Sequence, residues 1–390
     1  MLSFYYTPDL SAGSFRTTAL VHSLQKNTTK DMHIDVVTTL PNRYKSFNSE
    51  ALEYEQHEKL DVFRVKLPPH QSGFIDQSKA FVKYATKARL ITSDKDYDLV
   101  YATSGRLMTA VFGAWISSRC KAKLYLDIRD IFVDTIKDVL PRKISFFTNP
   151  VFSFLEKWAV NKADKVNLVS EGFREYFQSR YPKKKFSFFT NGIDHEFIIA
   201  SNNAIMNQTN NEKLKVVYAG NMGEGQGLHK VIPELAKRMQ KHVQFILIGD
   251  GGRKPELQAA LDKAGCTNVE LRPPVNRDDL IDAYNEADML FLHLNDYKAF
   301  RKVLPSKLFE YAALSKPIWA GVSGYAAKFV KEEIENSVVF HPCDIDDAVH
   351  SFGDLIIKNT ARTKFIKKFA RVSIMDNMSD EILNIIKQDL

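Results

Sequence analysis

The chain is poor in the features that would set it apart from an ordinary globular protein. It has three cysteines in 390 residues, Cys120, Cys266 and Cys343. They are far apart and odd in number, which suits a reduced cytosolic protein better than a disulfide framework, and no metal-ligand spacing occurs. No apolar run reaches the roughly 18 residues that a bilayer span needs. Tyr5–Asp9 turns polar at once, so no signal peptide is expected there. Neither glycine turn shows GxGxxG with an acid about 20 residues on, which argues against a nicotinamide oxidoreductase. No Asp-x-Asp pair stands where it would hold a phosphate-bridging ion, because Asp94, Asp96 and Asp98 precede a strand. No metal and no cofactor is therefore expected.

What is present is length, alternation and a lopsided charge. A chain of 390 residues is too long for one ordinary core, so two domains are expected. The net charge is +7, and residues 1–200 carry all of it, with 29 Lys and Arg against 22 Asp and Glu. Such asymmetry points to an anionic partner of the first half.

Short apolar segments alternate with helical patterns throughout. In the second half, strands are expected at Lys215–Ala219, Val243–Ile248, Asn268–Leu271, Met289–His293, Pro317–Ala320 and Val338–His341. Helices are expected at Glu256–Lys263, Asp278–Glu286, Ser306–Leu314 and Gly324–Glu333. Pro233 falls inside a further helical pattern and is expected to delay or kink it. The first half reads as strands at Leu2–Tyr6, His33–Thr38, Val62–Val65, Leu99–Ala102, Lys123–Leu126 and Lys165–Val169. This alternation implies parallel sheets covered on both faces. Asn-rich Ala200–Lys213 has a linker composition. The expected organisation is α/β, with two doubly wound Rossmann-like domains facing across a cleft: residues 1–198, a linker at 199–213, residues 214–375, and a C-terminal helix at 376–390.

Each half opens with a strand, a glycine turn and a helix. In the second, "VVYAGNMGEGQGLHKVI" (Val216–Ile232) has the form of a phosphate cradle, because free N–H groups at a helix start attract anions. It holds no Lys or Arg before Lys230. A cation must come from elsewhere. In "VLPSKLFEYAALSKP" (Val303–Pro317), Ser306 is a candidate N-cap, and Lys307 and Glu310 share a helix face. A lysine in a first turn opposes the helix dipole. Lys307 is therefore a candidate for diphosphate and Glu310 for ribose hydroxyls, with a surface ion pair as the alternative. Arg253 and Lys254 in "GDGGRKPEL" are further candidate phosphate contacts. In the first half, Asp127, Arg129 and Asp130 end a strand. Asp130, positioned by Arg129, is a candidate acid or base, with a structural ion pair as the alternative.

Phe147, Val151, Phe154, Leu155 and Trp158 fall at helical spacing, flanked by Arg142, Lys143 and Lys157. The stripe fits either an interfacial membrane contact or a core-facing helix. "YPKKKF" (Tyr181–Phe186) adds positive charge.

Taken in order, "FYYTPDLSAGSFR", "DIRD", "VSEGFREYF", "TNGID", "YAGNMGEGQGL", "LIGDGG" and "LPSKLFEYAALSKPI" resemble the retaining GT-B glycosyltransferases of family 4. The likeness is strongest to the branch that builds bacterial O-antigen and capsule, including N-acetylfucosaminyl-type transferases. The resemblance covers nearly the whole chain. It implies an acceptor-binding first domain, with Ser11, Gly13, Ser14 and Arg16 in the acceptor loop, and a second domain that binds a nucleotide sugar. It implies donor contacts from Gly220, Asn221, Gly223, Gln226, Gly227, Arg253, Lys254, Ser306, Lys307 and Glu310, and catalytic roles for Arg129, Asp130 and Lys307. The expected reaction moves a sugar from a nucleoside diphosphate sugar, UDP-linked, to a lipid-linked saccharide acceptor. The expected setting is cytoplasmic, peripheral on an anionic inner membrane, with no nucleic acid partner. The sequence departs from the family at three places: Asn221 and Gln226 replace an Arg and a Lys, Lys302 replaces the first of two glutamates, and Arg129 replaces a His. An epimerase of the same fold and a non-catalytic subunit of a polysaccharide assembly complex stay open as alternatives.

Overall fold

The computed structural model describes residues 1–27, 32–41, 50–68, 74–133, 142–202 and 212–387. The chain forms two compact units: Met1–Asn191 with Arg371–Leu390, and Gly192–Ala370.

Unit 1 is built on two sheet segments that the chain start joins. One runs β1–β3–β2, from Ile34–Thr39, Leu60–Val65 and Tyr54–His57. The other runs β4–β5–β6–β7, from Leu99–Ser104, Lys123–Ile128, Lys165–Leu168 and Phe186–Ser187. Leu2 makes parallel bridges to both Val37 and Ala102. The opening segment Leu2–Tyr6 is thus a single bridging residue rather than a full strand, but it lies at the centre of the sheet. The resulting order is doubly wound. All pairings are parallel except β2 with β3. The short β2 and β7 lie outside the sequence expectation. β2 is mostly exposed and polar, and β7 is two residues long, so neither carries a buried apolar run.

Helix Ala12–Asn27 packs against the C-terminal helix Arg371–Lys387, whose Met375, Met378, Ile382 and Leu383 enter the core with Leu20, Val21 and Leu24. Beneath that contact lies Arg16, which is fully buried. Its Nε and Nη2 donate to Asp127 at 2.7 and 2.9 Å, and its remaining N–H groups donate to the carbonyls of Thr190 and Phe189. Asp127 also accepts from Tyr101 and Asn167.

Unit 2 has one six-stranded, all-parallel sheet: β8 Leu214–Asn221, β9 Val243–Asp250, β10 Val269–Arg272, β11 Met289–His293, β12 Ile318–Gly321 and β13 Ser337–Phe340, in the order β10–β9–β8–β11–β12–β13. Each coincides, within a few residues, with an expected strand. Pro233 does not delay its helix, which spans Leu228–Arg238; Val231, Ile232, Leu235 and Ala236 bury one face of it, and that packing outweighs the missing hydrogen bond. The chain enters unit 2 at Gly192 and leaves it at Ala370, and the two passing segments pair: Ile193 N–H donates to the Phe369 carbonyl at 2.8 Å. The units therefore divide at 191/192 and 370/371, not at 198 and 375, because these segments bond to unit 2 and the whole of helix Arg371–Lys387 to unit 1.

The Arg16–Asp127 pair generates a stability prediction. Burial alone would raise the Asp127 carboxyl, but Arg16 overrides it and holds it below the ordinary range. A depressed carboxyl stabilises the fold above its unfolded pKa, and that contribution is lost only as pH falls below about 4. Arg16→Met leaves Asp127 buried without its counter-ion and should cost about 3–5 kcal/mol in urea denaturation. A loss below about 1 kcal/mol, the scale of an exposed pair, would show that the pair is not structural.

Candidate functional site

Ligands of doubly wound sheets bind at the carboxyl ends of the strands. In unit 2 that end carries the turn after β8. Its backbone is fixed by close approaches. Gly249 has φ +145, and a Cβ there would lie 1.9 Å from the Gly220 carbonyl oxygen. Gly227 has φ +62, and a Cβ would lie 2.2 Å from Asn295 Oδ1. Only glycine fits either place.

Asn221 and Gln226, the two positions without the family's cations, bond to each other: Asn221 Nδ2 donates to Gln226 Oε1 at 2.8 Å, and Gly223 N–H donates to the same oxygen at 3.3 Å. Lys307 lies over the start of this turn, its Cε 3.5 Å from the place a Cβ on Gly220 would take. Lys307 Nζ donates to Glu310 Oε2 at 2.9 Å and to Tyr284 Oη at 3.2 Å. The lysine is partly exposed and Glu310 is buried. The structure thus brings Gly220, Asn221, Gly223, Gln226, Gly227, Lys307 and Glu310 together. Ser306 stands at the start of helix Lys307–Ala313, but its side chain makes no capping bond, because its own backbone is already helical.

Two expected phosphate contacts are spoken for. Arg253 pairs with Glu224 at 2.7 Å and with Glu256 at 2.5 Å. Lys254 Nζ donates to the carbonyls of Gly249 and Arg272 at 2.9 and 3.4 Å. The first is neutralised and the second closes the β9 turn.

Sequence reasoning missed Glu224, Tyr284, His293, Asn295 and Tyr297. Glu224 sits inside the glycine turn and accepts from Tyr297 and Lys230. These bonds and the nearby Arg253 overcome desolvation and hold its carboxyl down at about 2. Asn295 N–H donates to the Gly225 carbonyl at 2.9 Å, and its side-chain amide donates to Glu224 O. His293 is fully buried at the end of β11. The Cys343 backbone N–H donates to His293 Nε2 at 3.0 Å, so the ring proton is on Nδ1 and is donated to Gln226 O at 2.7 Å. A histidine ending an otherwise apolar buried strand was the available signal.

In unit 1 the corresponding end carries Ser11, Gly13 and Ser14 on the first turn of helix Ala12–Asn27. Ser14 N–H donates to Ser11 Oγ at 3.1 Å, an N-cap. Arg16, expected in the acceptor loop, is instead wholly enclosed with Asp127, so it cannot touch a ligand. Arg129 and Asp130 follow β5. They share no hydrogen bond or ion pair, so Arg129 does not position Asp130 as expected. Asp130 opens to solvent but sits in a recess with Ile128, Phe132, Glu156 and Phe177. The surrounding protein desolvates the charged form and pushes the carboxyl up to about 6, against the opposing pull of Arg129.

Helix Arg142–Lys162 exposes Phe154 at 68%, Val151 at 57% and Trp158 at 37%. The stripe does not face a core. The side chains of Arg142, Lys143 and Phe147 lie outside the described residues. Of the lysines at 183–185, Lys184 caps this helix by donating to Asn161 O at 2.8 Å, while Lys183 and Lys185 are exposed. Among the described residues no helix is long and apolar enough to cross a membrane. Also among them, His33, Asp35 and Asp61 have metal-ligand spacing, at the opposite, amino end of the unit 1 strands; Lys95 Nζ lies 2.6 Å from Asp35.

Residues 202–371 match the model of the glycosyl transferases group 1, and residues 16–192 match that of the glycosyl transferase 4-like domain. Two glycosyltransferase models thus account for the two halves of the chain. WcaI of Escherichia coli (strain K12), described as a colanic acid biosynthesis glycosyl transferase, is 33% identical over 98 residues, 25% of this chain. The match spans 24% of that relative's length. Among solved structures, a sucrose-phosphate synthase from Thermosynechococcus elongatus superposes with TM-score 0.74 at 12% identity, covering 99% of this chain and 96% of that one. HepE of Anabaena, in complex with UDP and glucose, gives 0.66 at 16%, covering 98% and 100%. WaaG, a glycosyltransferase involved in lipopolysaccharide biosynthesis, gives 0.64 at 12%, covering 97% and 94%. These likenesses show the GT-B type of fold, two Rossmann-like α/β domains with parallel sheets.

His293 supplies a pH prediction. Burial lowers its pKa to about 4. The unfolded chain takes up the proton first, so acidification from about pH 6.5 to about pH 4 should remove up to about 3 kcal/mol of stability. Asp130, with its raised carboxyl, acts in the opposite direction across the same window, so the comparison must be with a variant. His293→Asn should flatten the fall in melting temperature between about pH 7 and pH 5. Equal slopes in parent and variant would show that His293 is not held neutral.

Proposed function

We propose that this protein is a glycosyltransferase that moves a sugar from a nucleoside diphosphate sugar, UDP-linked, to a lipid-linked saccharide in bacterial surface polysaccharide synthesis. The observation that carries the reading is Lys307, held by Glu310 and Tyr284 over the glycine turn that lacks a cation of its own. The turn and the start of helix Leu228–Arg238 offer backbone N–H groups, and Lys307 supplies the charge. Together they stabilise the leaving diphosphate by preorganised electrostatics, without a metal. Glu310 receives the ribose hydroxyls. HepE, with UDP and glucose bound in the same fold, supports the choice of nucleotide.

Unit 1 takes the acceptor at the Ser11–Ser14 turn, and Asp130 accepts the proton of the attacking hydroxyl. A carboxyl poised near 6 is an effective base at neutral pH. Retention of configuration is the outcome that the family 4 resemblance supports. The lipid end of the acceptor needs a bilayer surface, and the exposed Val151, Phe154 and Trp158 beside Lys157 and Lys162 supply an apolar stripe with cations. Anionic lipid attracts each nearby cation by about 1 kcal/mol. The setting is the cytoplasmic face of the inner membrane.

Lys307→Ala should weaken UDP binding by about 1.5–3 kcal/mol in calorimetry, the range for a charge-assisted hydrogen bond, with the melting temperature little changed. Unaltered affinity would remove Lys307 from the donor site. Transfer should persist in EDTA and fall as pH drops through about 6, as Asp130 protonates. Strict dependence on added manganese or magnesium would refute the metal-free reading. Phe154→Asp should reduce cosedimentation with anionic vesicles while leaving circular dichroism unchanged, because the side chain already faces water. A folded variant that binds vesicles like its parent would take this helix out of the membrane contact.

A further inference from the structure

Arg129 is a poorly satisfied charge of unit 1. Its guanidinium lies against the backbone of two glycines. Nη1 is 2.2 Å from the place a Cβ on Gly13 would take and 3.7 Å from that on Gly105. Any side chain at position 13 would evict it. Nε is buried without a hydrogen-bond partner, and among the described residues the guanidinium makes no hydrogen bond and no ion pair.

The neighbouring acids do not relieve it. Asp127 is committed to Arg16, Tyr101 and Asn167. Asp130 attracts Arg129 across space without bonding it, and its carboxyl lines a recess of its own. Two guanidiniums thus share this sheet end with one fully committed carboxylate and one, Asp130, that bonds neither of them. Desolvating a guanidinium without acceptors is costly, and the attraction of Asp130 and Asp127 does not make up for it, since the pKa of Arg129 stays lowered. The surroundings add to the positive potential. Gly13 is in the first turn of helix Ala12–Asn27, where N–H groups point outward. In the same turn Ser14 Oγ is buried without a partner, in a residue only 1% exposed. The Arg129 guanidinium, set against Gly13 in that first turn, thus has donors and no acceptor of its own among the described residues.

We propose that Arg129, seated between Gly13 and Gly105, binds an oxyanion carried by the saccharide ligand of unit 1, a sugar carboxylate or a phosphate ester. The inference rests on the reading of unit 1 as the acceptor side, and it narrows that acceptor to an acidic saccharide. A guanidinium fork matches two oxygens of one such group, which an ammonium does not. The two glycines keep the fork accessible from the ligand side.

The test is calorimetry on the full chain carrying Lys307→Ala, which removes the proposed donor-phosphate cation. It is titrated separately with glucuronate, inorganic pyrophosphate and, as a neutral control, glucose. One of the two anions should bind at least about tenfold more tightly than glucose, and which one identifies carboxylate or phosphate. Arg129→Met should abolish that preference, and Arg129→Lys should retain only part of it. Gly13→Ala, compatible with a helix but not with the guanidinium, should lose it with an unchanged melting temperature, which covers the case of an unfolded Arg129→Met. Equal binding of all three sugars and anions, or an anion preference that survives both Arg129→Met and Gly13→Ala, would overturn the proposal. UDP binding to the chain with Lys307 intact is measured alongside. Its loss would count against the donor reading, and its presence without an Arg129-dependent anion site would count against this inference alone.

Discussion

The buried pair of Arg16 and Asp127 is the constraint on which unit 1 depends. Asp127 ends β5, Arg16 belongs to the first helix, Asn167 belongs to β6, and the carbonyls of Phe189 and Thr190 belong to the segment leading out of the unit. One guanidinium and one carboxylate thus hold four stretches of chain in register. Removing either charge strands the other in a medium that cannot solvate it. Ligand-facing groups follow from this. With Arg16 and Asp127 consumed internally, the Ser11–Ser14 turn is left with its own residues and the next charges after β5, Arg129 and Asp130.

Unit 2 solves a related problem with neutral groups. Its glycine turn is pinned by an amide pair, a buried neutral histidine and an asparagine under Gly227, all without net charge. The one charged residue inside the turn, Glu224, is offset by Lys230 and Arg253. A rigid turn of low net charge leaves the electrostatics of the site to a lysine on another helix. The separation makes physical sense: backbone geometry needs fixed close approaches, whereas a phosphate contact needs a charged, partly solvated side chain that can adjust.

Much of this was legible in the sequence. Strands such as Met289–His293 stand out because parallel, doubly covered strands read as unbroken apolar runs, and Lys307 stood out because a first-turn lysine contradicts the helix dipole. Other parts were not legible for identifiable reasons. Leu2–Tyr6 looks like a strand, yet pairs through one residue, since bridging count depends on neighbours that pattern does not reveal. Arg16 was assigned to the acceptor loop by the resemblance, and local pattern could not correct it because its partner lies far along the chain at Asp127. Arg253 and Lys254 drew attention by position, but the acids and carbonyls that occupy them are tertiary. The stripe at Val151, Phe154 and Trp158 was ambiguous for the same reason: periodicity marks an apolar face without saying what lies against it.

The placement of the last helix has a consequence for synthesis. Residues from both extremities of the chain complete unit 1: Leu2 bridges its two sheet segments, and Met375, Met378, Ile382 and Leu383 fill its core beside the first helix. Unit 2 is one uninterrupted stretch, Gly192–Ala370. A ribosome therefore delivers a foldable second unit while the first, though made earlier, still exposes the apolar groove around Leu20, Val21 and Leu24. Of the two units, the one begun first is finished last, and until then its flank stays open.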